Sequence, residues 1–173
     1  QESKAYVQVR DLAFSSDSNR LAAVVREENS YSVLVDDQEG PAFAMIKPKS
    51  LTFSPDSQHI GYIVQDQGVE FSVVDHQIGK AYERIVSRKI AFTPDGSKTA
   101  YAVQVKENQF VVYNGVEGKP YQKIMEEPPT FSPNGRNMAY TAYNGNGWVV
   151  VLDGEEQAVF PSIGKASLTF SNR

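Results

Sequence analysis

An all-β chain of tandem 39-residue, four-stranded units, the blades of a β-propeller, is predicted by three observations. Phe14, Phe53, Phe92, Phe131 and Phe170 recur at a spacing of 39 residues. Other columns keep the same period: aromatic residues at Phe43, Tyr82, Tyr121 and Phe160, isoleucine at 46, 85, 124 and 163, and Asp36, Asp75, Asn114 and Asp153. Each unit also divides into four short β-type runs separated by turn residues, and four strands in about forty residues is the measure of a propeller blade. Read without a gap, the period gives four complete blades plus partial flanking strands, in a single domain over residues 1–173.

Within the second unit, strand a is Ser50-Leu51-Thr52-Phe53 and is followed by the turn Ser54-Pro55-Asp56-Ser57. Pro presets φ there, and Asp bonds the backbone ahead of it. Gly96 and Gly135 end the same turn in the next two units, as a left-handed position requires. Strand b covers 59–64, strand c Phe71-Ser72-Val73-Val74, and strand d Ala81-Tyr82-Glu83-Arg84-Ile85. Strand b is apolar on both faces: large residues (Ile60, Tyr62, Val64) lie on one, small ones (Gly61, Ala100, Ala139) on the other. A half-exposed strand alternates apolar with polar, so both faces are expected to be covered by neighbouring blades. The Phe column, Phe53 and Phe92 included, is expected in the core.

By the same period residues 4–9 are a leading d-type strand and 167–171 a trailing a-type strand. A leading d strand needs a final a-b-c set, and the last set stops after a. Three closures remain open: a four-bladed ring with redundant ends, part of a larger ring, or pairing of two copies through open blade edges.

The motif Phe-Ser-Pro-Asp-Gly followed by a strand holding Ala-Tyr resembles the WD-like propeller repeat of TolB-type periplasmic proteins and of prolyl-oligopeptidase-type propeller domains. It is carried by Phe92-Thr93-Pro94-Asp95-Gly96 with Ala100-Tyr101, and by Phe131-Ser132-Pro133-Asn134-Gly135 with Ala139-Tyr140. The first unit departs most, with Ser16, Ser18 and Ala22-Ala23. The resemblance implies the propeller fold and a periplasmic or secreted location. It leaves function open, because a turn and a core strand serve many roles.

Composition removes several classes of chemistry. Without cysteine the chain has no disulfide, thiolate metal site or thiol nucleophile. A net charge of −4 supplies no field for nucleic acid, and no apolar run reaches the ~20 residues of a membrane helix. The chain begins Gln1-Glu2-Ser3, compatible with removal of a secretory signal or with a cloning boundary. No Gly-x-Ser-x-Gly elbow occurs, and both histidines, His59 and His76, fall in polar columns expected to be exposed turns. No catalytic residue, metal ligand or cofactor is therefore assigned. The recurring Asp17, Asp56, Asp95 and Asn134 are read as bonding their own turns, since calcium collects six to eight oxygens at one place.

Surface variation locates the candidate binding residues. The a–b and c–d turns are repetitive, whereas the opposite pole is irregular. There the b–c loops supply Arg26, Lys106, Tyr143, Asn144 and Asn146, and the d–a junctions Lys47, Lys49, Arg88 and Lys89, beside Glu126 and Glu127. The sole tryptophan, Trp148, opens a strand at the same pole. Loops on a rigid scaffold favour binding, and Tyr, Trp and Arg favour interfaces. The expected role is a non-enzymatic scaffold binding a protein partner at this pole. The alternatives are a regulatory propeller of a prolyl-oligopeptidase-type hydrolase, or a structural piece that assembles into rings.

Overall fold

The structure is a computed structural model and describes residues 4–164 and 168–171. It is all-β, with four antiparallel sheets following one another along the chain. Blade 1 holds β1 (Gln8–Phe14), β2 (Leu21–Glu27), β3 (Ser30–Val35) and β4 (Gln38–Glu39). Blade 2 holds β5 (Met45–Ile46), β6 (Thr52–Phe53), β7 (Ile60–Asp66), β8 (Val69–Val74) and β9 (Gln77–Tyr82). Blade 3 runs through β10 (Arg84–Ile85), β11 (Ala91–Phe92), β12 (Thr99–Val105), β13 (Asn108–Tyr113) and β14 (Val116–Glu117). Blade 4 is β15 (Lys123–Ile124), β16 (Thr130–Phe131), β17 (Met138–Tyr143), β18 (Trp148–Leu152) and β19 (Glu155–Phe160).

The strand boundaries correct the sequence reading in one systematic way. The run 81–85 is not one strand. Gln77–Tyr82 is the outer strand of blade 2, while Arg84–Ile85 pairs with β12 and opens blade 3. In blades 2 to 4 the first strand is thus made of two short pieces pairing with the same neighbour, as β5 and β6 both pair with β7. The interruption leaves amides of β7 and β12 without a strand partner, and an unpaired buried amide is costly. Buried serines fill the gap: the Ile63 N–H donates to Ser50 Oγ (3.1 Å) and the Ala102 N–H to Ser87 Oγ (2.8 Å).

The period also has a gap. In β1 the pairing shifts between Arg10 and Ala13, where two residues, Asp11 and Leu12, stand for the four between Lys47 and Thr52. Gln8–Phe14 is consequently the first strand of blade 1 and not the outer strand of a preceding one. Allowing for the gap, Lys4-Ala5-Tyr6 matches Lys80-Ala81-Tyr82. Lys4 and Tyr6 bond Glu39 (2.7 and 3.3 Å) just as Lys80 and Tyr82 bond Glu117 (2.7 and 3.1 Å). Residues 4–6 therefore do the work of an absent outer strand without forming one.

Three apolar clusters lie between the four blades. Ala22, Val24 and Val33 of blade 1 meet Ile46, Leu51, Tyr62 and Val64 of blade 2. Ile63 and Tyr82 of blade 2 meet Ile90, Phe92 and Tyr101 of blade 3, and Ala100, Ala102 and Val111 of blade 3 meet Ile124, Tyr140 and Val149 of blade 4. In each case the large-residue face of one blade sits on the small-residue face of the one before, as expected. Among the described residues no cluster joins blade 4 to blade 1, so the four blades form an open arc. In blade 1 the expectation that both faces of strand b are covered holds from Ala22 to Val25 and fails at Leu21, and the first strand is open: Leu12 and Phe14 are 66% and 68% exposed, whereas Leu51 and Phe92, in the same columns, are 5% and 7% exposed. Phe53 is half-buried. The expected trailing strand over 167–171 does not form: Ser167 lies outside the described residues and 168–171 pair with no strand, while Leu168 borders Ala139 and Thr141 on the small-residue face of blade 4.

Candidate functional site

The two poles of the arc are built differently. At the a–b/c–d pole the recurring Asp and Ser/Thr columns close on their own turns, and Arg20 also reaches the Ser57 and Gln58 carbonyls of the next blade (3.2 and 2.8 Å). The c–d turns have positive φ at both central residues, 47° and 65° at Asp75 and His76, for example. This is the type I′ geometry that Asp, Asn and Gly tolerate. Asp75 also accepts the Ile60 N–H (3.0 Å) and takes His59 Nδ1 at 2.7 Å, as Asp36 takes Leu21 N–H and Arg20, and Asp153 takes Met138 N–H and Asn137. In the a–b turns Thr93 Oγ1 donates to Asp95 (2.6 Å), which accepts the Ser97 N–H (3.2 Å). Ser15–Asp17 and Ser132–Asn134 repeat the arrangement at 2.6 and 2.8 Å, and Ser54–Asp56 completes the series. These bonds hold the Asp17 and Asp95 carboxyls down to about 2, the hydroxyl donor being the largest cause in each.

Both histidines are half-buried, which corrects the expectation of exposed turns. His59 paired with Asp75 resembles the orienting half of a hydrolytic triad. Its place in the series Arg20–Asp36 and Asn137–Asp153 shows that it is a strut between hairpins, since Arg and Asn do the same work. His76 lies against Gly40 and Tyr62, its Nδ1 3.3 Å from the Tyr62 hydroxyl.

At the opposite pole, the ten candidate residues separate into groups. Lys47, Lys49, Arg88 and Lys89 lie within the interrupted first strands and not on d–a junctions, because a single residue, Glu83, joins β9 to β10. Lys47 is a strut: Nζ donates to Glu70 (3.0 Å) and to the Ile85 carbonyl of the next blade (2.6 Å). Arg10 makes the equivalent bond to the Ile46 carbonyl (2.7 Å). Arg88 meets Glu126 (3.2 Å) and Glu127 (3.6 Å), so the expected positive and negative sectors neutralise each other. Arg26 stands over the Tyr31 ring at 5.6 Å. Among the described residues Lys49, Lys89 and Lys106 are exposed and make no ion pair.

The aromatic end of the pole is in blade 4. Tyr143 and Trp148 face each other across β17 and β18 with ring centroids 5.7 Å apart and planes at 67°, and Lys123 Nζ lies 5.8 Å from the Trp148 ring. The loop above them is tied down: Asn144 Oδ1 accepts the Asn146 N–H (3.1 Å), and Asn144 Nδ2 donates to Glu156 (2.8 Å). Both rings are half-buried. Sequence reasoning missed Lys123, because it sits on the first strand, far from Trp148 along the chain. Among the described residues no group of three or more His, Asp or Glu side chains is placed to hold a metal ion.

No family model and no curated protein matches the sequence. Solved structures do match in fold. TolB from Acinetobacter baumannii superposes with a TM-score of 0.52 at 16% identity, over 86% of this chain and 42% of that one. An acylaminoacyl peptidase in complex with Z-Gly-Gly-Phe-chloromethyl ketone gives 0.51 at 12% identity, over 90% of this chain and 32% of that one. The Myceliophteria thermophila Cps50 (Swd1) β-propeller domain gives 0.45 at 14% identity, over 87% and 53%. The fold is a β-propeller like that of TolB, and the chain spans less than half the length of the first two.

Proposed function

We propose that the chain is a non-enzymatic scaffold that binds a protein partner at the loop pole, in an extracytoplasmic compartment. One observation carries the binding site: the half-buried Tyr143–Trp148 pair at the ends of β17 and β18, with Lys123 beside it and a tied-down loop above it. Rigid aromatic rings with a neighbouring cation are the composition of an interface centre, and their fixed geometry lowers the entropy cost of binding. Lys49, Lys89 and Lys106 would form the surrounding rim, where charge steers encounter more than it adds affinity. The location rests on the resemblance of the repeats to TolB-type ones.

Peptides selected on the immobilised protein from a random display library test the site. Bound peptides are expected to change the fluorescence of Trp148, the sole tryptophan, and to lose at least about tenfold in affinity on Trp148→Ala or Lys123→Ala. Lys80→Ala, on the outer face, should leave binding unchanged. Peptides indifferent to both loop-pole variants would overturn the reading. The likeness to a peptidase propeller favours a second reading, a gating domain for a hydrolase. Saturable ester or peptide turnover by this chain, abolished by His59→Ala, would contradict the non-enzymatic assignment.

A further inference from the structure

Three glycine–tyrosine grooves repeat between neighbouring blades, and among the described residues only the first is filled by a ring from the chain itself. Between blades 1 and 2 the floor is Gly40 and the wall Tyr62, and the imidazole of His76 lies in the space. A Cβ on Gly40 would come within 2.2 Å of His76 Nδ1. The ring meets Tyr62 edge-on, with centroids 6.5 Å apart.

The equivalents of Gly40, Tyr62 and His76 between blades 3 and 4 are Gly118, Tyr140 and Gly154. With glycine in place of His76 no ring enters, and a cavity of about 350 Å³ opens, lined by all three together with Tyr113, Phe131 and Met138. The groove between blades 2 and 3 also has glycine there, Gly115. Its chemistry differs, because the Ser72 hydroxyl donates to Tyr101 (2.9 Å) and stands where a Cβ on Gly79 would be, 2.5 Å from it. In the third groove Val111 replaces Ser72 and lines the cavity, and the one close neighbour of a Cβ on Gly118 is the Val111 carbonyl at 3.2 Å.

We propose that the groove over Gly118 and Tyr140 is a binding site for a small uncharged heteroaromatic ring of imidazole size. His76 supplies the template: the equivalent floor glycine and the equivalent tyrosine already hold such a ring two interfaces away. The apolar part of the cavity, Tyr113, Phe131, Met138 and Tyr140, recovers burial and edge-to-face contact when a flat ring enters, while Glu117, Lys119, Arg136 and Asp153 at its border offer partners to the ring nitrogens.

The test uses imidazole itself at pH 8, where the free ring is uncharged, titrated into the 173-residue protein and followed by NMR. Saturable shifts are expected at Gly118, Tyr140 and Met138. Gly118→Ala should abolish them, since its Cβ takes the place of the ring while meeting only the Val111 carbonyl. Gly154→His should abolish them by filling the groove, and should melt about 2–4 °C above Gly154→Asp. Asp is the matched control, because Asp37 occupies the equivalent left-handed position at φ 66° without filling a groove. Unsaturable shifts, or shifts unchanged in Gly118→Ala, would overturn the site. Gly154→His melting at or below Gly154→Asp would show that this groove does not accept the ring that its counterpart holds.

Discussion

Single residues of the repeat act on backbone first, and that is why the polar columns carry so little chemistry. Ser54 is fully buried; it donates to Asp56 and accepts the His59 N–H (2.9 Å). Ser54→Ala should cost about 1–3 kcal/mol in chemical denaturation, because the amide loses its acceptor where water cannot replace it. A change within about 0.5 kcal/mol would show the turn to be held by Pro55 and backbone bonds alone. The carboxylates of the same turns make acid stability testable. Asp17 and Asp95 are held at about 2 against an ordinary 3.8, so the unfolded chain takes up their protons first as pH falls. Their contribution is complete above about pH 4 and is lost as pH falls through about 2. Asn134 occupies this place in blade 4 and keeps its bonds to Ser132 and the Arg136 N–H. Asp17→Asn with Asp95→Asn is accordingly expected to flatten the fall in stability between pH 4 and 2. An unchanged slope would place the acid sensitivity elsewhere. The two serines that mend the interrupted strands show what column reading cannot reach. Ser50 and Ser87 stand at different places in the repeat yet accept equivalent amides, so no aligned column marks them.

At the scale of elements, what the sequence revealed followed from burial. Strands β7 and β12 lie between two blades, β17 lies between blade 3 and Leu168, and all three are apolar on both faces, so their existence and register were legible. Strand β9 is exposed along nearly its whole length, and its run Gln77-Ile78-Gly79-Lys80 gives no apolar pattern. The aromatic and apolar residues just after it drew the strand boundary into the next blade. The gap at Asp11 and Leu12 escaped for another reason: Phe14 and all later columns keep the period, so the shortening shows only in the pairing of β1. Packing between elements accounts for the one glycine in the small-residue column. A Cβ on Gly61 would come within 2.9 Å of the Phe92 ring and 3.4 Å of Ile90 Cβ. Phe92 settles onto Gly61 and is buried, whereas Phe53 and Phe131, whose counterparts are Ala22 and Ala100, stay half-buried. Gly61→Ala should therefore destabilise by about 1–3 kcal/mol through overpacking, despite the usual gain from replacing a strand glycine. Phe92→Ala should cost about 3–5 kcal/mol, and in the double variant the penalty of Gly61→Ala should largely vanish. Strictly additive effects would mean that the two residues do not meet.

For the whole molecule, the decisive feature is that the large-residue face of blade 1 is covered at Ala23 and Val25 but left open at Leu12, Phe14 and Leu21. Every other blade lays that face on the small residues of the blade before, so the exposed Leu12, Phe14 and Leu21 form an interface without its other half. A twofold pairing of two such faces would set large residues against large. Head-to-tail packing would instead set them on Ala139 and Thr141 of blade 4, repeating the three internal interfaces. Leu168 now borders that face, in the place that Leu12 of a second copy would take. Removing residues 165–173 from the 173-residue chain should thus promote association, with the sedimentation coefficient rising as protein concentration rises, and Phe14→Ser should reverse it. An unchanged monomer would show that blade 4 does not accept the face of blade 1. The repeat also supplies its own control for whether the arc is open in solution. Leu12 and Leu51 share one column but are 66% and 5% exposed. Leu51→Ala should cost about 2–5 kcal/mol, while Leu12→Ala should stay within about 0.5 kcal/mol. If Leu12→Ala proved as costly as Leu51→Ala in dilute solution, another blade would already be covering blade 1, and the open arc would be wrong. If the two costs converged only as protein concentration rose, the covering blade would come from a second copy, since only association between chains depends on concentration.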